Sequence, residues 1–350
     1  MSVIEKQLIG DALYFTGPRA VEVHQELVPT AKNDEVLIEV LCSGISSGTE
    51  MNVYRGLAPQ WQKRQDPETK LFVATDQPDW QYPSRYGYAS VGRILEVGSD
   101  VQELSKGDLV FSYTPHGSYA VASSQKVIVL PELKSVEHGV FFANLSTALN
   151  GVLDTQPIIG ETIVVTGLGV IGQLVVRLLA KMGLEQLIAV DTIASRRDLA
   201  LKGGATHTLD PSEGSVAEHV RDLTQGRGAD RVIEVSGAAP ALNEAIRTVG
   251  YNGLVVAMSW YGGTFESLNL SGEFHHNRPR IISSQVASVN PFLGPMWNTA
   301  RRTELVKRYL LEFDFDVLIT HKVPLTKAAE LYHLLDTQPE NVLQIVFRYR

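Results

Sequence analysis

The sequence holds a single cysteine, Cys42, in 350 residues. That excludes an intrachain disulfide and any metal site built from several thiolates. No apolar run reaches membrane-spanning length, and Met1 to Ala20 lacks the pattern of a secretory leader. Positive charge is in deficit: 31 Lys and Arg stand against 39 Asp and Glu, a formal net charge of −8. This balance argues against sequence-independent binding to nucleic acid. The expectation is a cytoplasmic protein with no membrane or nucleic-acid partner.

What the chain does have is apolar material and glycine. Hydrophobic residues make up 44%, ordinary for a globular protein, and the length suggests two domains with ample core. Up to about Pro131 the pattern is one of short strands and turns. Glu35 to Val40 alternates with period two over most of its length, as a half-buried strand does. Ser90 to Gly98 is a second strand, and Lys106-Gly107-Asp108 turns into a third at Leu109-Val110. Gly56 to Pro83 breaks the pattern, with Trp61, Phe72, Trp80 and Tyr82 among charges. It reads as a surface loop, with a lid or pocket wall as the functional alternative.

From about His138 the period changes. Val140 to Leu153 reads as a helix. Strands at Ile163–Val165, Leu187–Val190, Thr208-Leu209, Arg231–Val235 and Leu254–Met258 then alternate with helical stretches, among them Gln173–Met182 and Ala239–Val249. This is the pattern of a parallel sheet with crossover helices. After Pro291 come helices at Arg301–Leu311 and Ala328–Asp336 and a last strand at Val342–Phe347.

The sharpest signal is Val164-Val165-Thr166-Gly167-Leu168-Gly169-Val170-Ile171-Gly172, followed by Asp191 at the end of the next apolar run. Strand, glycine turn, helix, strand and acid in that order form a dinucleotide-binding unit. Gly167 permits the tight turn, Gly169 lets a pyrophosphate approach, and Gly172 lets the helix pack close. The helix start, with Leu168, Val170 and Ile171, offers N–H groups to the phosphates. Asp191 suits the ribose hydroxyls and repels a 2′-phosphate, so NAD is favoured. Arg196 and Arg197 lie just beyond it and leave NADP open.

These features resemble the medium-chain dehydrogenase/reductase superfamily over nearly the whole chain. Its marks are Gly87 with Ser90 to Gly98, Lys106 to Val110, Gly167 to Gly172, Gly228-Ala229-Asp230 and Glu234-Val235-Ser236-Gly237. The resemblance implies an α/β fold. A Rossmann doubly wound parallel sheet (137–291) would join a GroES-like β-rich catalytic domain (1–136 and 292–350), with the active site in the cleft between them. It also implies Ser236 as a cofactor contact, and a homodimer joined through edge strands near Met258, although Leu254 to Met258 could equally be internal.

The departures from that family matter as much. Zinc-dependent members carry Cys-Gly-Ser/Thr-Asp where this chain has Ser47-Gly48-Thr49-Glu50, with Ser46 as the alternative register. Their Gly-His-Glu is Gly87-Tyr88-Ala89 here, and their third ligand falls near Ala143 or Asn144. None of these supplies a thiolate, imidazole or carboxylate, and no four-cysteine lobe is present. The expectation is no metal. The alternative is a displaced site using His116, His275 or His276 with Glu50.

Without a Lewis acid, a hydrogen-bond donor or acid/base must handle the proton at the reacting oxygen. Tyr88 stands at a ligand position, Thr49 matches the proton-relaying hydroxyl of the zinc enzymes, and Ser47 sits beside it. These three are the catalytic candidates, with Tyr54 and His116 behind them. Glu50 is expected to support Arg55 or Arg93. Trp260 and Tyr261 are placed on the nicotinamide side, and Arg278 and Arg280 could hold an anionic group. Three functions compete. The first is a zinc-independent alcohol–carbonyl dehydrogenase. The second is an NADPH-dependent quinone or enone reductase, against which Asp191 counts. The third is a non-catalytic NAD-binding protein, as some crystallins of the superfamily are. The run Cys42 to Gly56 also looks like a subgroup that includes the hydroxyethyl bacteriochlorophyllide dehydrogenases, a short likeness that implies no pigment substrate.

Overall fold

The computed structural model describes residues 8–262 and 268–349. Residues 1–7 of the stretch read for a leader lie outside them. The chain forms two compact units, one of residues 1–143 and 307–350, the other of 144–306. Both joins fall inside helices, Phe141–Thr155 and Thr299–Glu312. Periodicity places the joins earlier, at 136/137 and 291/292. It registers where a new kind of element begins, whereas packing partners change partway along a helix. Among the described residues no helix is long and apolar enough to cross a membrane.

The first unit is built on a seven-stranded sheet. Its central strand, Glu35–Gly44, pairs antiparallel with Ser90–Val97, with Tyr119–Ser123 and, at its last residues, with Gln344–Arg348. The C-terminal segment thus completes the N-terminal sheet. Val36, Leu37, Ile38 and Val40 are all buried, a fuller burial than the alternation predicts, because partners line this strand along its whole length. A second core lies beneath the hairpin Ile9–Gly17/Ala20–Leu27. There the helices Thr49–Tyr54 and Ala328–Thr337 meet it through Met51, Tyr54, Leu331 and Tyr332, with Phe15 and Phe347. Between Gly56 and Pro83 the chain is not plain loop. It makes one 3-10 turn, Pro59–Trp61, and a small hairpin, Lys63–Gln65 with Phe72–Ala74.

The second unit is a six-stranded parallel sheet in the order His207–Leu209, Gln186–Val190, Thr162–Thr166, Ala229–Glu234, Val249–Ala257, Arg280–Ser283. In sequence terms this is 3-2-1-4-5-6, the Rossmann order, with its switch point beside the first strand. Val164, Ile188, Val232 and Val255 form the sheet's share of the core, and Val220, Leu242 and Ala245 that of the helices. The helix after the glycine turn is Val170–Leu179 rather than Gln173–Met182, because the glycine turn itself forms the helix's first turn. The helix Val216–Leu223 escaped the sequence reading, although its start is signalled. Ser215 caps it, its hydroxyl accepting from the Glu218 N–H at 3.3 Å. Val249–Ala257 pairs on both sides, so the apolar run ending at Met258 is internal. The sheet's edges are Arg280–Ser283 and His207–Leu209.

Candidate active site

In the second unit, the strand Thr162–Thr166 runs into Gly167, whose φ of +92° belongs to the left-handed region. A Cβ at Gly172 would lie 1.9 Å from the Gly167 carbonyl oxygen, so the helix can pack on the turn only with glycine there. At Gly169 nothing lies within 4 Å of a Cβ position. The backbone is open where a phosphate would approach.

Asp191 is buried at the end of the neighbouring strand. Its Oδ2 accepts from the Leu168 N–H at 2.7 Å and its Oδ1 from the Ile193 N–H at 2.8 Å. The acid therefore braces the glycine turn itself, and the Leu168 N–H is committed to it rather than to a phosphate. A carboxylate has lone pairs left for a ribose. Arg197 does not reach outward: it donates to Asp210 at 2.7 Å and to the Asp191 carbonyl at 2.8 Å. Arg196 stands 4.0 Å from Asp191 Oδ2. A cavity of about 460 Å³ opens here, with Gly167, Asp191, Thr192, Ser236 and Glu244 among its walls. Val170 is buried and Ile171 half-buried in the first helical turn.

Ser236 is held from below by Glu234, a fully buried carboxylate to which the sequence reading, naming it only as a mark of the resemblance, gave no role. Glu234 Oε1 accepts from the Ser236 N–H at 2.7 Å and from its hydroxyl, while Oε2 accepts from the Tyr261 hydroxyl. Burial, then the Glu234 charge, push the Tyr261 phenol up. Arg280 borders a separate cavity of about 690 Å³, and Arg278 closes a short helix in the left-handed conformation at φ +54°.

The first unit brings Tyr88 and Thr49 together, but with Ser46 rather than Ser47. Tyr88 Oη donates to Ser46 Oγ at 2.5 Å, and the Thr49 side chain also hydrogen-bonds the phenol. Ser47 is exposed and stands apart. The chain turns at Ser46 because its N–H is caught by Glu50 Oε1 at 2.8 Å, which aims the Ser46 side chain at the phenol. Burial, and next the Glu50 charge, raise the Tyr88 phenol; bonds from Ser46 and Thr49 lower it, and it ends pushed up to about 12.

Glu50 does not support an arginine. Arg55 binds Asp336 at 2.6 Å and Arg93 donates to the Gly107 carbonyl at 2.9 Å. Glu50, fully buried, takes His116 Nε2 at 2.9 Å and the Tyr332 hydroxyl at 2.5 Å on its Oε2. His116 Nδ1 bonds Ser43 Oγ at 2.7 Å, and Ser43 Oγ lies 2.7 Å from Tyr349 Oη. Gly87, at φ +124°, is glycine for this cluster: a Cβ would meet His116 Cδ2 at 2.7 Å. His116 is thus walled in rather than presented to a substrate, and the buried Tyr54 stacks on Tyr332 at 5.3 Å. The sequence reading set Glu50 beside His116 only as an alternative metal site; Ser43, Tyr332 and Tyr349 were missed because they lie far from both in sequence.

The residues that the sequence resemblance matches to zinc ligands are a poor donor set. Ser47 is exposed, Tyr88 is bonded to Ser46, and the candidate third position offers Ala143 or Asn144 on the helix Phe141–Thr155. Among the described residues no three His, Cys, Asp or Glu side chains are grouped to hold a metal. His275 and His276 contact only through ring edges, 5.1 Å apart, on the helix Glu273–Asn277.

Residues 170–300 match a family model described as zinc-binding dehydrogenase. D-guloside 3-dehydrogenase of Escherichia coli strain K12 is 30% identical, over 95% of this chain and 98% of that protein. L-threonine 3-dehydrogenase of Pyrococcus abyssi is 28% identical over 87% of this chain and 88% of its own. The solved structure of an Escherichia coli CFT073 alcohol dehydrogenase complexed with NADH superposes with a TM-score of 0.78. It is 19% identical and covers 97% of this chain and 99% of its own.

Proposed function

The chain belongs to the medium-chain dehydrogenase/reductase superfamily, and on that premise we propose that it interconverts a secondary alcohol and a ketone with NAD(H), without zinc. The observation that carries this reading is the Tyr88–Ser46 bond of 2.5 Å, at a residue that the sequence resemblance matches to a metal ligand. Two relatives are named for oxidation at a 3-hydroxyl, of a guloside and of threonine, and a secondary alcohol is the shared chemistry.

When bound, the nicotinamide supplies the hydride acceptor or donor. Gly167, Gly169 and the helix start receive its phosphates, and Asp191 and Glu244 line the cavity at the ribose end, where two carboxylates oppose a 2′-phosphate. Tyr88, with its phenol held at about 12, stays protonated at neutral pH. It acts as a hydrogen-bond donor to the substrate oxygen and disfavours serving as a phenolate base. In ketone reduction the phenol O–H turns from Ser46 to the substrate oxygen and passes its proton there as the alkoxide develops; the Ser46 hydroxyl gives its proton to the phenolate oxygen and takes one from water. In the reverse direction the alcohol proton leaves through the same two hydroxyls to water. Thr49 fixes the phenol's orientation. A homodimer through the edge strand Arg280–Ser283 completes the reading.

The test is a Tyr88→Phe variant assayed with NAD+ on a panel of secondary alcohols, with metal analysis of the unaltered protein. Losing one preorganised donor should lower kcat by about 10²–10³ and leave NADH titration unchanged. Full turnover in the variant, or one zinc per chain, would overturn the reading.

A further inference from the structure

The helix Val170–Leu179 carries one polar side chain that its core position does not call for. Gln173 is 0% exposed, and Leu174, Val175 and Val176 beside it are buried to the same degree. A leucine or methionine would fill that volume without desolvating an amide. Both donors and the oxygen of the amide are engaged. Nε2 donates to the Leu168 carbonyl at 3.3 Å and to the Arg196 carbonyl at 2.8 Å, and Oε1 accepts from Arg177 Nη1 at 2.9 Å. Arg177 stands one turn along the same helix, and Arg196 lies on the helix Ala194–Lys202. These two fix the amide, so that its remaining N–H falls on the glycine turn.

That grip has a consequence on the far side of the peptide it holds. A trans peptide is planar, and its N–H and C=O point in opposite directions. The Leu168 carbonyl and the Gly169 N–H belong to one such peptide. Holding the carbonyl therefore aims the N–H away from the buried amide. Among the described residues the Gly169 N–H has no partner. Gly169 is half-buried, and a Cβ built on it would meet nothing within 4 Å. The preceding peptide is held separately, by the Leu168 N–H on Asp191 at 2.7 Å. A glycine backbone has no side chain to restrain it, so the plane of the Leu168–Gly169 peptide needs an outside hold.

We propose that Gln173 is a positioning residue for the cofactor: it turns the Gly169 N–H toward the pyrophosphate by holding the Leu168 carbonyl. The two peptides on either side of Leu168 are then gripped by different side chains. Asp191 takes the N–H and also faces the ribose, and Gln173 takes the carbonyl and serves the phosphates. A glutamine that only filled the core would support adenosine and pyrophosphate alike, because it would act through the stability of the whole unit. A glutamine that aims one N–H acts on the phosphate-bearing part of the ligand. The proposal rests on the reading that the glycine turn receives the cofactor phosphates.

The experiment is calorimetric titration of the unaltered protein and of Gln173→Met with two ligands: adenosine, which has no phosphate, and ADP-ribose, which has the pyrophosphate. Methionine keeps the length of the side chain and removes both donors. The Kd for ADP-ribose should rise about 10-fold, as for one misdirected hydrogen bond to a charged group, and that for adenosine by less than about twofold. Equal losses on the two ligands, or an unchanged Kd for ADP-ribose, would overturn the proposal and leave the phosphate reading standing. If the unaltered protein binds adenosine but ADP-ribose no more tightly, the phosphate reading fails and the proposal with it. If Gln173→Met is not recovered folded, Arg177→Met decides, since it frees the amide oxygen and leaves both donors in place. A rise of about threefold in Kd for ADP-ribose alone upholds the proposal, and no rise refutes it.

Discussion

Glu50→Gln is the substitution that most directly tests how the site is held. The side chain keeps its shape and loses its charge. In the native chain one carboxylate serves three donors: the Ser46 N–H at 2.8 Å on Oε1, and His116 and Tyr332 at 2.9 and 2.5 Å on Oε2. Glutamine has one acceptor oxygen. Whichever way the amide is turned, its NH2 faces at least one of these donors. The whole cluster is out of reach of water, with Glu50, His116 and Tyr332 all 0% exposed, so nothing repairs the mismatch. A hydrogen bond to a charged group is worth about 1.5–3 kcal/mol, and a stranded buried donor costs about 1–3 kcal/mol more. A loss of about 3 kcal/mol is expected. For a domain of this size that lowers Tm by roughly 6–12 °C. Differential scanning calorimetry with NADH titration reads it: the first unit's transition should fall by that amount and cofactor affinity should hold. Turnover should also drop, because Ser46 is aimed at Tyr88 only through the Glu50 bond to its N–H. A Tm within 2 °C of the parent would refute the argument that this carboxylate is the keystone of the cluster.

Asp191→Asn keeps one acceptor, for the Leu168 N–H, sets its NH2 against the Ile193 N–H, and removes the charge facing a 2′-phosphate. The preference for NADH over NADPH, read by fluorescence titration, should narrow by about tenfold. Gly172→Ala would gain helix propensity at an ordinary site. Here the new methyl must displace the Gly167 carbonyl from 1.9 Å, so urea unfolding should show a loss of about 2 kcal/mol or more, with weakened NADH binding. Asp316 carries an acid-range dependence: the His138 hydrogen bond, then that of Lys134, pulls its carboxyl down to about 2. A depressed carboxyl adds stability above its unfolded pKa that is lost as pH falls through the folded one. Asp316→Asn should therefore differ from the parent at pH 6 and converge with it near pH 2 in a pH series of thermal melts, by a modest amount because the carboxylate is partly exposed.

Much of the second unit was legible because its determinants are local. The turn at Gly167, the approach at Gly169 and the packing at Gly172 are decided by missing side chains a few residues apart, and the strand–helix alternation follows from short-range period. The buried cluster around Glu50 was not legible for the opposite reason. Glu50 meets His116 across 66 positions and Tyr332 across 282, and Ser43 meets Tyr349 across 306. No spacing rule links such residues. Nearest-neighbour logic paired Glu50 with Arg55, but Arg55 lies on the outer side of its helix turn and goes to Asp336. The choice between Ser46 and Ser47 likewise turned on one backbone bond, from the Ser46 N–H to Glu50, that sequence does not display.

The two units share one device. Glu50 and Glu234 are both fully buried carboxylates, each set close to the end of a sheet strand. Each captures a backbone N–H of a serine in the adjoining turn and a tyrosine hydroxyl brought from far along the chain. Burying a carboxylate costs several kcal/mol, which converging donors offset only if their geometry is held. An apolar residue in either place would avoid that cost and still fill the volume. What it could not do is fix the direction of a polar loop, since only a directional acceptor discriminates one backbone path from another. The serine each acid orients is Ser46 beneath Tyr88 in one unit and Ser236, on the wall of the cavity beside the glycine turn, in the other. The buried acids are therefore best understood as aiming devices: the stability they put at risk is traded for serine hydroxyls held in fixed directions.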